Sequence, residues 1–172
     1  MKLVGAKEFL KKAKSGMFFL QFWTDADYCQ TIINKYEKNK FNEILDDYKI
    51  SNASLELYIY GDNSGSLSID KNYETYDDYD TFEINGKSYH CLCYTDINII
   101  GDASPYETLY LLFDNVDEIF DCVIPNCLTK EELLIIRDWF LRNNTFTDEV
   151  NDEDAWALKS LENDADTIVN YR

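Results

Sequence analysis

The sequence predicts an α+β fold, an antiparallel sheet of four or five strands packed by N-terminal and C-terminal helices, and three observations predict it. Residues 54–100 alternate with a period of two between flanking segments of helical period. Asn85-Gly86 stands between two alternating runs, a strong short-range hairpin signature. Two capping signatures, Ser104-Pro105-Tyr106-Glu107 and Thr129-Lys130-Glu131-Glu132, open helical patterns in the last third. At 172 residues, 45% hydrophobic and 15% aromatic, the chain suits one globular domain over 1–172 with a buried core.

Residues 6–14 read as a short amphipathic helix, with Phe9, Leu10 and Ala13 on one side and lysines on the other. Met17 to Trp23, short and aromatic, reads as a buried strand. Thr24 and Asp25 offer caps for a helix from about 26 to 39, and a further helical turn is expected over 41–48. Residues 55–60 and 66–70 form a predicted hairpin joined by Gly61 to Gly65. Strands at about 81–84 and 87–95 should pair across a type I′ turn at Asn85-Gly86, because both residues accept positive φ. The capping signature at Ser104 predicts a helix carrying Leu109, Leu112, Phe113, Val116, Phe120 and Val123 on one face, ended by Pro125. A largely apolar helix follows Thr129, and a last one is expected from about Asp152.

Charge narrows the function. The net charge is −17, and residues 1–50 hold nine Lys against seven Asp or Glu, so residues 51–172 carry seven basic and 26 acidic residues. No Lys or Arg falls between Lys87 and Lys130. Direct binding to nucleic acid needs cations that displace counterions from phosphates, so it is disfavoured, and an anionic membrane surface is disfavoured for the same reason. Thirteen Tyr, ten Phe and three Trp separate the chain from disordered acidic tails. No apolar run reaches the roughly 20 residues a membrane span needs. No secretory signal is read at Met17 to Trp23, and five irregularly spaced cysteines suit reduced thiols, so a cytoplasmic protein is expected.

The usual catalytic apparatus is missing. His90 and Cys91 are sequence neighbours in a predicted strand, where successive side chains point to opposite faces, so they make no nucleophile and base pair. Cys91, Cys93, Cys122 and Cys127 depart from zinc-knuckle spacing and read as small hydrophobes. The six glycines form no phosphate loop, and neither Asp62–Tyr73 nor Asp70–Thr81 has the Gly and Glu of an EF-hand. No carboxylate pair among the 33 acids is singled out for glycosidase chemistry. The expectation is a non-enzyme without cofactor or metal.

The acidic surface itself is the candidate site. Asp70, Glu74, Asp77, Asp78, Asp80 and Glu83 interleave with Tyr73, Tyr76 and Tyr79, and Asp114, Asp117, Glu118 and Asp121 line the outer face of the expected helix. Carboxylates two apart on a strand or four apart on a helix lie about 6–7 Å apart, close to the phosphate spacing of an extended nucleic-acid strand. Like charges at that spacing repel by a few tenths of a kcal/mol per pair, a repeated cost that points to a selected field. Tyrosines among them suit stacking on a partner's arginines.

In size and charge, with Tyr73 to Asp80 (YETYDDYD) as its nearest carrier, the chain resembles the small acidic inhibitors of phages and mobile elements that mimic nucleic acid, the anti-CRISPR and anti-restriction proteins. Such proteins share no fold, so no residue role transfers. The resemblance implies a non-catalytic inhibitor that occludes the basic groove of a nucleic-acid-binding protein, a bacterial defence nuclease foremost. An immunity protein covering a toxin's basic cleft would use the same physics.

Overall fold

A strand precedes the first expected helix. The computed structural model describes residues 1–50, 55–61, 65–69, 81–96, 107–122 and 128–143, without the side chains of residues 65 and 93–96. Lys2–Gly5 forms β1, Ala6–Lys12 α1, Phe18–Trp23 β2, Ala26–Lys35 α2 and Phe41–Asp47 α3, with a 3-10 turn at Lys38–Lys40. Then come β3 (Glu56–Tyr60), β4 (Gly65–Ile69), β5 (Phe82–Ile84), β6 (Lys87–Tyr89), β7 (Leu92–Asp96) and β8 (Thr108–Leu112). A 3-10 helix at Val116–Asp121 and α4 (Lys130–Asn143) complete the described chain.

The class is the expected α+β, built on an antiparallel sheet of six strands in the order β1-β8-β2-β3-β4-β7, beside a two-stranded ribbon of β5 and β6. The strands beyond the expected four or five arise at β1 and β8. Four residues of β1 are too few to show a period, and they gain their partner from the distant register Lys2↔Leu112 to Gly5↔Leu109.

β8 corrects the reading of residues 105–123 as one helix. Thr108 to Leu112 are all buried, because the strand lies between β1 and β2 with both faces covered. A continuous apolar run of this length fits a helix and a doubly covered strand equally well, and the β-preferring Thr108 and Tyr110 favour the strand. Asn115 then caps the 3-10 helix, its Oδ1 accepting from the Glu118 N–H at 3.2 Å.

Two cores sandwich the sheet. On one face Leu20, Leu57, Ile59, Leu67, Leu109 and Leu111 meet Ile32 of α2, Phe41 and Leu45 of α3, and Leu133, Ile136 and Phe140 of α4. On the other, Val4, Phe19, Tyr58, Tyr110 and Leu112 lie with Phe9 of α1. There Phe9 stacks on Tyr110 at 4.2 Å between ring centroids, and Phe19 on Tyr58 at 5.1 Å. Complete burial of each such side chain contributes about 1.5–3 kcal/mol.

Several local expectations hold. Asn85 and Gly86 take φ of 52° and 78°, and the ribbon pairs Phe82↔Tyr89 and Ile84↔Lys87 as a type I′ turn requires. β3 and β4 pair from Leu57↔Ile69 to Tyr60↔Ser66. At α4 the capping box is complete: the Glu132 N–H donates to Thr129 Oγ1 at 3.2 Å and the Thr129 N–H to Glu132 Oε2 at 2.9 Å. The single strand expected over 87–95 is interrupted at His90 and Cys91, which lets β6 stay with the ribbon while β7 joins the main sheet. The helix expected from Asp152 lies outside the described residues. Among those residues no helix is long and apolar enough to cross a membrane.

Candidate functional site

The acidic 3-10 helix begins where β8 leaves the sheet. Glu118 is drawn inward by the donors it meets and not by the pitch, since at three residues per turn it would share a face with Asp121. Asp114, Asp117 and Asp121 are exposed, their side chains 75%, 70% and 60% accessible, while Glu118 is turned inward at 12%. Phe120, among these aspartates, is half exposed.

Glu118 sits in a polar knot. Its carboxylate accepts from the Met1 amino group at 2.9 Å, from Lys38 Nζ at 3.2 Å and from the Asp114 backbone N–H at 2.9 Å. Burial by itself raises the carboxyl pKa, but the Met1 ammonium, the Asp114 N–H and Lys38 outweigh it and hold it down at about 2. The same carboxylates, Asp114 at 2.8 Å included, raise the Met1 amino pKa against the opposing effect of burial. Lys38 also reaches Asp121 at 3.8 Å, and Lys130 pairs with Asp117. Each of the four acids therefore has a cation beside it, although Lys38–Asp121 and Lys130–Asp117, exposed on both sides, are weak pairs.

Of the other candidate residues, Glu83 is exposed on β5, opposite Ser88. Asp70, Tyr73, Glu74, Tyr76, Asp77, Asp78, Tyr79 and Asp80 lie outside the described residues. Cys91 is buried while His90 is exposed, its Nδ1 3.1 Å from Thr81 Oγ1, so the two diverge at the break between β6 and β7. Cys29, Cys91 and Cys122 are thiols, and burial pushes Cys122 up to about 11. Among the described residues no group of three His, Cys, Asp or Glu is placed to hold a metal ion.

A cleft lies where the near-neutral first third meets the start of β8. At the end of β2 the Thr24 N–H donates to the Glu107 carbonyl at 2.9 Å, closing the sheet beside the start of α2 and the end of α3. The cleft there has a volume of about 460 Å³ and is lined by Trp23, Asp25, Tyr48, Lys49 and Glu107 among others. Trp23 is 55% accessible. It occupies the alternate position from Phe19 and Gln21, on the face that α1 covers only in part, so alternation along β2 marks it as the place where the aromatic row leaves the core.

Protein-family models, curated proteins and solved structures, compared with this chain, yield no match.

Proposed function

We propose that the protein acts in the cytoplasm, without catalysis, as an acidic inhibitor that binds a nucleic-acid-binding protein and occludes its basic groove in the manner of a DNA mimic. A bacterial defence nuclease is the proposed target, which places the protein with the anti-CRISPR and anti-restriction inhibitors of phages. The observation that carries this reading is the charge imbalance beyond residue 50, 26 acidic against seven basic residues on a chain rich in aromatics. Exposed Asp114, Asp117 and Asp121, with Phe120 among them, support it as a surface that pairs an aromatic anchor with carboxylates. The ion pairs of Asp117 and Asp121, exposed on both sides, are weak enough to be exchanged for a partner's arginines. Glu118, held inward, acts as support for that surface.

The test is capture from a bacterial lysate on the immobilised protein at low and moderate salt, with displacement by random-sequence duplex DNA. The expected result is a nucleic-acid-binding protein that duplex DNA displaces and that higher salt weakens. Two charge-reversed variants, Asp114→Lys/Asp117→Lys/Asp121→Lys and Asp77→Lys/Asp78→Lys/Asp80→Lys, should each reduce retention. Retention that neither variant nor duplex DNA changes would overturn the reading.

A further inference from the structure

We propose that the cleft at the end of β2 receives an arginine side chain of the basic partner, stacked on Trp23 and paired with Asp25 and Glu107. This rests on the proposed binding of a basic surface and names the anchor of that contact.

The acids of this cleft differ from those of the 3-10 helix. Asp114, Asp117, Glu118 and Asp121 each have a cation within 4.0 Å, whereas Asp25 and Glu107 have none among the described residues. Asp25 is the N-cap residue of α2, yet its side chain makes no capping hydrogen bond, which leaves both carboxylate oxygens for another donor. Asp25 and Glu107 line the same cleft, and the Thr24–Glu107 backbone bond ties together the two segments that carry them.

The aromatic side completes a match to guanidinium. Trp23 presents more than half of its surface, and an indole face is the strongest aromatic acceptor for a cation. A neighbouring ring already holds one: Lys35 Nζ lies 5.6 Å from the centroid of Tyr48, which also meets Tyr28 at 5.4 Å. A planar, weakly hydrated guanidinium stacks on indole while its N–H fork donates to carboxylates, and a lysine ammonium cannot do both. Lys49 is the opposing charge. It stands at the end of α3 with φ of 53° and lines the same cleft as the two acids, while Lys35 is occupied over the Tyr48 ring. Cys29 adds no reactive thiolate nearby, since burial first, and then Glu107 and Asp25, push its thiol up to about 12.

The probe is N-acetyl-arginine methylamide, with the citrulline analogue as its uncharged counterpart, titrated into the full chain. Binding is followed by the Trp23 indole N–H resonance, assigned by its loss in Trp23→Phe. A saturable shift is expected with the arginine compound and at least tenfold weaker binding with citrulline. Asp25→Asn/Glu107→Gln should weaken arginine binding at least tenfold, and Lys49→Ala should tighten it at least twofold. No shift at Trp23, equal binding of citrulline, or indifference to the Asp25→Asn/Glu107→Gln change would overturn the proposal. Circular dichroism and urea midpoints establish that the variants are folded, and the Asn/Gln variant preserves shape if removal of the indole does not. Partner capture separates the two readings. A folded Trp23→Ala or Asn/Gln variant that retains the basic partner as well as the parent refutes the cleft alone. If the parent captures no nucleic-acid-binding protein, the inhibitor reading fails, and a positive titration still upholds an arginine site.

Discussion

Replacing Glu118 with Gln tests whether the inward carboxylate ties the 3-10 helix to the start of the chain. Glu118 is held at about 2 where an ordinary glutamate titrates near 4.5. At about 1.4 kcal/mol per pH unit, that gap corresponds to roughly 3 kcal/mol of stabilisation when the group is ionised. Because the folded pKa lies below the unfolded one, the contribution is complete above pH 4.5 and disappears as pH falls through about 2. Glu118→Gln should therefore lower unfolding free energy by about 2–3 kcal/mol at pH 7, and by less than about 0.5 kcal/mol at pH 2. Urea denaturation of both proteins at pH 7, 4.5, 3 and 2 measures the difference, in which the titration of other carboxylates common to both largely cancels. A loss that stays constant from pH 7 to 2, or one below about 0.5 kcal/mol at pH 7, would refute the assignment of the stabilisation to this charge.

Two further changes examine the cores. Tyr110 is buried on the α1 face with no hydrogen-bond partner for its hydroxyl among the described residues, and burial raises its pKa. Tyr110→Phe removes the orphaned polar group while keeping the stack on Phe9, so urea denaturation should show stability unchanged or raised by about 1 kcal/mol. Thr129→Ala opens the capping box of α4 and should cost about 1 kcal/mol, measurable as a lower thermal midpoint.

Legibility in the sequence followed the range of the forces. The turn at Asn85-Gly86 and the cap at Thr129 to Glu132 are set by neighbours three or four residues apart, and both take the predicted form. Thr108 to Leu112 depends on β1 and β2, far away in sequence, and its apolar run carries no period to distinguish a buried strand from a helix. A helix over 105–123 would put the acidic residues after Leu112 on one outer face, which the strand at Thr108–Leu112 rules out. The inward direction of Glu118 is set by the Met1 amino group, Lys38 and the Asp114 N–H, contacts that i, i+4 spacing does not show. The Trp23 cleft was hidden for a different reason: its acids, Asp25 and Glu107, come from segments that meet only when β2 and β8 pair.

The position of β8 also bears on how the chain folds as it is synthesised. β1 and β2 both pair with β8 and not with each other, so the gap between them is filled only after residue 112 is available. Until then the aromatic strand Phe18–Trp23 has an open edge on the side later taken by Leu109 to Leu112. Such long-range closure predicts slow folding and an interval in which that edge is available to other chains. Among the described strands the last to enter is thus an interior one, and β1 at the sheet edge can join only through it.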